Sequence, residues 1–282
     1  MHRKLNILLL YFLLLIELLI LYNSKIIIND IKKTSIIFII NIFPSLFPTM
    51  LLGNLLVKCN IKLIIPSFIK KIFNILFNFD DNMTTIFIMS MLCGAPSNAM
   101  FINDYLEKGL INEKTAKNML KVTRFINPLF VISAVGITIF NSVKIGILIL
   151  IILYISNFIK AFLLRKNFVS TSIKDTNINN INFINELKIT IKETINTLLF
   201  IFGTITTFNI LICLIKEIFN LNLFSTLIIN SLLEMTIGII ILKDISIPLL
   251  PKILIAYLIL SFSGLCIHMQ INSIIKEKNK IN

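Results

Sequence analysis

The chain of 282 residues is 56% hydrophobic and has a mean hydropathy of +0.91, and both values exceed those of ordinary soluble domains. Its net charge of +13 would indicate nucleic-acid binding in a soluble protein. Here the Lys and Arg residues cluster between long apolar runs, a pattern typical of topology signals and anionic-lipid contacts. The composition therefore predicts an integral protein of the lipid bilayer and argues against a nucleic-acid partner.

Residue types that serve enzymes and metal sites are scarce. The four cysteines form no CxxC pair and three lie in apolar runs, which favours small buried hydrophobic side chains over redox or metal chemistry. Two histidines are too few for a His-based metal centre. The sequence contains no GxSxG, HExxH or GxxxxGK[ST] motif, so we predict no catalytic function, no cofactor and no ATP hydrolysis.

The first apolar run, residues 5–22, follows Arg3 and Lys4 and is long enough to span a bilayer. It is long for a signal peptide and no small-residue cleavage site follows, so we predict a retained membrane helix, with a polar loop up to residue 33. Glu17 lies inside this run. Its carboxyl group must face the helix bundle or be protonated, and a functional role and a helix-packing role both remain open.

The second apolar run, residues 34–57, contains Pro44 and Pro48. Prolines four residues apart lie on one helix face and remove two helical hydrogen bonds, so the helix is either simply kinked or opened around a cavity. Residues 61–79 alternate apolar residues with lysines. This pattern favours an amphipathic helix on the cytoplasmic surface over a membrane span.

A helix break lies within residues 83–102. Gly94 and Pro96 interrupt the apolar run, and the polar Ser97 and Asn98 follow at once. In a bilayer such a break survives only where protein or a water-filled cavity satisfies the freed backbone groups. Broken helices near the midplane are also typical of transporter binding sites. The segment either spans the membrane or turns back as a re-entrant hairpin.

A second break, Asn127-Pro128, interrupts the run at residues 122–140, and residues 145–164 return across the membrane. The lysine-rich stretch between the two breaks and the polar stretch at 165–192 are both predicted to be cytoplasmic. The longer stretch divides the chain. We predict an N-terminal helix and loop at 1–33, a first repeat at 34–164, a linker at 165–193 and a second repeat with a basic tail at 194–282.

The second repeat contains apolar runs at 194–215, 221–242 and 253–275. Glu234 lies in the middle of one run, close to Thr236. Because a lone carboxyl group in hydrocarbon is costly, Glu234 is either a substrate or proton ligand or a protonated group bonded to another helix. His268 could relay protons or simply pack, since neutral imidazole both donates and accepts.

Neutral polar side chains accompany the breaks. Ser97, Asn98, Asn127 and Gln270 offer donors and acceptors suited to a nucleobase, a sugar or an amide. Asn98 and His268 each follow a glycine by four residues, as expected from a duplicated repeat, direct or inverted, with its site at the repeat interface. We therefore predict that these two residues meet near the midplane, with Cα atoms within about 20 Å.

Several motifs together resemble one family. They are Gly-Ala-Pro-Ser-Asn-Ala at 94–99, Glu-Lys-Gly-Leu-Ile at 107–111, Asn-Pro-Leu-Phe at 127–130, Leu-Glu-Met-Thr-Ile-Gly at 233–238 and Ser-Phe-Ser-Gly-Leu-Cys-Ile-His-Met-Gln at 261–270. In this order they resemble the YlbJ sporulation integral membrane proteins, which belong with the nucleoside-recognition, or Gate, domain proteins. The chain departs from that family at Met100, where family members often have Lys. It is also shorter than typical members of the family.

The resemblance and the breaks define the candidate substrate-binding residues. They are Gly94, Pro96, Ser97, Asn98, Asn127, Pro128, Glu234, Thr236, Gly264, His268 and Gln270. We predict an all-α polytopic membrane protein with about seven to nine membrane segments. Some of these segments are broken or re-entrant, and they form a two-repeat architecture. It lies in the cell membrane with both termini cytoplasmic; no oligomeric state follows from the sequence.

Two functions fit these patterns. The first is transport or gated passage of a small polar solute, which the resemblance makes nucleoside-like. The second is a non-transporting role in envelope or spore-cortex assembly.

The predicted topology has a direct test. Because the stretch at 165–192 carries five cations, the positive-inside rule places it in the cytoplasm. A cysteine at position 172 (Ser172→Cys) should resist an impermeant thiol reagent in intact cells and react after permeabilisation. Efficient labelling of intact cells would reverse the whole orientation.

Overall fold

The computed structural model describes residues 2–59, 64–168 and 183–278. These residues form helices and no strand, which confirms the all-α class. The helices are α1 (His2–Tyr22), α2 (Ser24–Ile37), α3 (Phe43–Lys58), α4 (Ser67–Phe77), α5 (Asp81–Cys93), α6 (Ser97–Glu107), α7 (Glu113–Val122), α8 (Pro128–Phe130), α9 (Thr138–Phe140), α10 (Val143–Leu163), α11 (Phe183–Phe219), α12 (Leu223–Leu233), α13 (Met235–Ile241), α14 (Leu249–Phe262) and α15 (Gly264–Lys278). π-helical turns at Phe38–Ile42 and Val131–Ile137 join α2 to α3 and α8 to α9.

The apolar helices confirm a multi-pass membrane protein. Four stretches are long and apolar enough to span a bilayer: Ser24–Lys58, Val143–Leu163, Phe183–Phe219 and Leu249–Ile275. Three shorter apolar helices, Ile7–Tyr22, Pro128–Phe140 and Leu223–Leu233, accompany them.

The predicted polar loop before residue 33 is wrong, because α2 extends from Ser24 to Ile37. This polar segment is helical since it packs along α11. Asn209 of α11 donates from Nδ2 to Thr34 Oγ1 at 2.6 Å. Sequence pattern alone gives no sign of a partner 175 residues away.

The predicted amphipathic helix forms as α4, Ser67–Phe77. Phe77 is buried, whereas Phe68 and Ile75 are exposed. The buried side belongs to an aromatic cluster that includes Phe87, whose ring meets that of Phe158 edge to face at 5.3 Å. Such pairs stabilise a fold beyond simple area burial, and here they fasten α5 to α10.

Two pairs of short helices fold back as hairpins. Gly94 ends α5 with φ +75°, a left-handed conformation that glycine adopts without steric cost, and α6 packs against α5. In the other hairpin α13 returns along α12 so closely that a Cβ on Gly238 would lie 2.7 Å from Ser231 N. The apolar run at 221–242 is therefore a hairpin with Glu234 at its tip, and the segment at 83–102 takes the re-entrant form.

Each hairpin tip meets the break in a crossing helix. A Cβ on Gly94 would lie 2.4 Å from Asn127 N, beside the first break. In the C-terminal half a Cβ on Gly264 would lie 2.9 Å from Met235 N, so the break between α14 and α15 touches the tip at Glu234. Backbone contacts this close join each tip to its break.

Packing of α10 against the preceding helix depends on a glycine pair. A Cβ on Gly146 would lie 2.9 Å from Gly136 Cα. We expect Gly146→Ala to lower the free energy of unfolding by about 1–3 kcal/mol through overpacking. The measurement is the thermal unfolding midpoint of the purified protein in detergent.

Gly203→Ala is the matched control, because a Cβ there would meet nothing within 4 Å. Removing a helical glycine at that open position should raise stability slightly. Equal midpoints for the two variants would contradict the packing described.

Candidate functional site

The hairpin tips and helix breaks enclose a small cavity of about 40 Å³. Five of the eleven predicted site residues line it, namely Pro96, Asn127, Glu234, Thr236 and Gln270. Apolar side chains from α3 and α11, including Leu46 and Ile201, complete the wall. The volume admits water molecules but falls far below the 300–1,000 Å³ or so of a pocket for a drug-sized ligand. The structure is thus a closed form of the site.

Glu234 lies at the tip of the second hairpin, between α12 and α13. Its side chain is only 1% exposed, and its backbone is extended between α12 and α13. Oε1 accepts from Thr236 N at 3.1 Å and Oε2 accepts from Ile237 N at 2.8 Å. The carboxyl group therefore caps α13 within its own hairpin, where the helix dipole favours negative charge, and these two bonds do not reach another helix.

Asn127 occupies the matching position at the first break. Oδ1 accepts from Phe130 N at 3.1 Å and so caps α8. Nδ2 donates to Thr49 Oγ1 at 2.6 Å and to Cys93 O at 3.1 Å. One buried amide therefore joins the break to α3 and to the end of α5, while satisfying three groups that hydrocarbon would leave without partners.

Four helices begin beside the cavity: α6 after Pro96, α8 after Asn127, α13 after Glu234 and α15 at Gly264. The α15 residues Ile267 and Gln270 line the cavity wall. The first N–H groups of α8 and α13 are capped by Asn127 and Glu234. Glu234 is the acidic member of the cavity's described lining.

Gln270 connects the cavity to α11. Its side chain is 1% exposed, and Nε2 donates to Thr204 Oγ1 at 2.7 Å. The same nitrogen lies 3.3 Å from Cys266 Sγ. These contacts hold the amide of Gln270 between α11 and its own helix.

Ser97 and Asn98 lie near the cavity in sequence but do not line it. Both are buried, and Asn98 Nδ2 donates to Thr123 Oγ1 at 3.3 Å. Ser97 Oγ and Asn98 Oδ1 have no hydrogen-bond partner within the described parts of the chain. Helix α6, which carries both, packs against α15, which carries His268.

His268 lies outside the cavity wall and is half-buried. Nε2 lies 2.9 Å from Phe262 O. Arg124 Nη1 lies 3.3 Å from Nδ1 and 3.5 Å from Nε2, so the guanidinium contacts the imidazole ring. The remaining predicted site residues, Gly94, Pro128 and Gly264, lie outside the cavity lining. They set the backbone conformation at the helix breaks.

Arg124 is the site residue that the sequence analysis missed. It is half-buried in the extended segment before Asn127, and its carbonyl accepts from Asn157 Nδ2 at 3.0 Å. Its guanidinium contacts His268, 144 residues further along the chain. The sequence did offer one signal for this residue, namely a single Arg three residues before the break at Asn127-Pro128. No group of three or more His, Cys, Asp or Glu side chains suited to a metal occurs in the described residues.

Comparison with known proteins finds one distant relative. The chain is 23% identical over 278 residues to the Bacillus subtilis (strain 168) protein described as sporulation integral membrane protein YlbJ. The match covers 84% of this chain and 67% of the relative. No family model and no solved structure matches. The similarity agrees with the apolar helices in indicating an integral, multi-pass membrane protein.

The role of Asn127 can be isolated with an isosteric change. Asn127→Asp keeps the cap on α8 but removes both N–H donors to Thr49 and Cys93. Because unsatisfied buried groups cost about 1–3 kcal/mol each, we expect a clear fall in the thermal unfolding midpoint in detergent.

Asn112→Asp is the matched control. Asn112 is exposed and caps α7 through Thr115 N at 2.8 Å, and Asp caps a helix as well as Asn does. A similar midpoint for the two variants would mean that the donors of Asn127 contribute nothing.

Proposed function

We propose that this protein is a membrane transporter, or gated pathway, for a small polar solute that binds between two structural repeats. The observation that supports this most directly is the meeting of two hairpin tips and two helix breaks at one cavity, whose mainly apolar wall carries four polar side chains. Discontinuous helices whose ends line a central site are typical of secondary transporters. Irregular backbone at membrane depth otherwise has no stabilising role.

The order of elements supports two Gate-like repeats at 34–164 and 194–282. Each contains a hairpin followed by a broken helix: α5–α6 and then the break before α8, and α12–α13 and then the break before α15. On this alignment the tip at Gly94 corresponds to the tip at Glu234, and the break at Asn127 corresponds to the break at Gly264. This pairing differs from that of Asn98 with His268.

The solute is inferred from the groups around the cavity. Amide, hydroxyl and carboxyl groups from Asn127, Gln270, Thr236 and Glu234 suit the donors and acceptors of a base or a sugar, and the resemblance to Gate-domain proteins makes the solute nucleoside-like. A cavity of about 40 Å³ excludes such a molecule from the closed form. The hairpins must therefore move for the solute to enter, driven by an ion gradient or by the solute gradient itself.

A second function is favoured by the same tight packing. Asn127 and Gln270 donate to protein groups, as they would in a scaffold without a substrate. The name of the Bacillus relative, sporulation integral membrane protein, fits a non-transporting role in envelope or spore-cortex assembly. The two functions differ in whether the carboxyl group of Glu234 is required.

Glu234→Gln separates a chemical role from a structural one. Glutamine keeps the size of the side chain and one oxygen that can cap α13, but it loses the titratable group. We expect the variant to fold with a loss of about 0.5–2 kcal/mol, the range for a weakened cap, and to lose activity. The measurements are yield and unfolding midpoint in detergent, beside complementation in the native host and nucleoside uptake into proteoliposomes.

Glu17→Gln is the control, because Glu17 is exposed on α1 and lies outside every motif. It should retain activity. A stable and fully active Glu234→Gln protein would remove the transport proposal's main residue and favour the scaffold.

A further inference from the structure

One face of α11 carries a row of hydroxyl groups through the membrane. Thr190, Thr194, Thr197 and Thr204 recur at spacings of four, three and seven, which places them on one side of a helix. Thr190 and Thr194 are fully buried and Thr204 is 5% exposed. On the opposite face Leu199 is 61% exposed, so α11 turns its hydroxyl groups inward and its apolar side chains towards lipid.

Helix α3 forms the facing wall of this seam. Asn54 Nδ2 lies 3.4 Å from Thr194 Oγ1, and Lys58 Nζ lies 2.6 Å from Glu193 Oε2. Further along α3, Leu46 lines the central cavity. The α3–α11 seam therefore runs from a partly exposed ion pair at one end to the cavity at the other.

The length of the seam matches half a membrane. Eleven residues separate Glu193 from Thr204, which is about 17 Å at the rise of an α-helix. Thr204 accepts the hydrogen bond from the cavity residue Gln270. Half of the hydrocarbon thickness is about 15 Å, so the seam links a midplane cavity to one membrane surface, the side predicted to be cytoplasmic.

The polar groups of the seam and of its outer end are only partly satisfied. Threonines in membrane helices commonly bond to the carbonyl one turn back, as Thr197 does to Glu193 O at 2.9 Å. Within the seam the Asn54–Thr194 contact is long, at 3.4 Å. Thr190 Oγ1, which lies about one turn outward of the ion pair, is buried and has no partner among the described residues. Polar atoms left in this state in hydrocarbon are costly unless water or a solute reaches them.

We propose that the solute passes between the cavity and the predicted cytoplasmic surface along the α3–α11 seam, with the Lys58–Glu193 ion pair closing its outer end. This inference rests on the proposed transport function and adds a route to it. The hydroxyl and amide groups along the seam carry no net charge, so the route favours an uncharged solute rich in hydroxyl or amide groups. Opening requires α3 and α11 to separate by the width of that solute.

The test is thiol accessibility in proteoliposomes, using a small, charged, membrane-impermeant methanethiosulfonate reagent. Thr194→Cys and Thr197→Cys probe the seam, Leu199→Cys probes the lipid-facing side of the same helix, and Ala95→Cys probes the cavity. The parent protein gives the background from its four cysteines. Each variant must first elute as a single peak on size exclusion.

We expect the seam variants to react about tenfold or more faster than Leu199→Cys, because the thiolate that reacts needs water. Adding Glu193→Gln to Thr194→Cys removes the ion pair and should raise its rate further. If Thr194→Cys and Thr197→Cys stay as slow as Leu199→Cys while Ala95→Cys reacts, the seam is wrong and the transport function stands. If all four stay slow, both proposals fail.

Discussion

Hydrocarbon offers no hydrogen bonds, and this one constraint decides how the centre of the protein is built. A helix that stops inside the membrane leaves N–H and C=O groups that only protein or trapped water can satisfy. The fold meets this need with two buried side chains, Asn127 capping α8 and Glu234 capping α13. Because each cap also lines the cavity, the groups that stabilise the breaks are the groups a solute would meet.

Close backbone packing joins each hairpin tip to a helix break. Gly94 lies against the backbone of Asn127, and Gly264 lies against that of Met235, so a side chain at either glycine would separate tip from break. The contact between Arg124 and His268 then joins residues 144 positions apart. Movement of either hairpin would therefore have to break contacts made by specific residues.

Several features were predictable because they depend on local chemistry. The length of the apolar runs indicated a membrane protein. The interruptions at Gly94, Pro96 and Asn127 were visible because glycine and proline disrupt helices through local backbone geometry. Glu234 was recognisable since a lone carboxyl group inside an apolar run is costly. Two features were misjudged because they depend on partners far away in the chain. They are the helix in place of the loop before residue 33 and the contact that Arg124 makes.

The sequence by itself determined that the chain is an all-α membrane protein and where the helices break at Gly94 and Asn127, because hydrophobicity and backbone geometry act within a few residues. Only the tertiary structure decided that the run at 221–242 turns back at Glu234, since a hairpin and a span have the same composition. It likewise decided which polar residues share the cavity. Asn127, Glu234 and Gln270 meet there, although Asn127 and Glu234 lie more than a hundred positions apart in the chain, and a contact across that separation leaves no local pattern in the sequence.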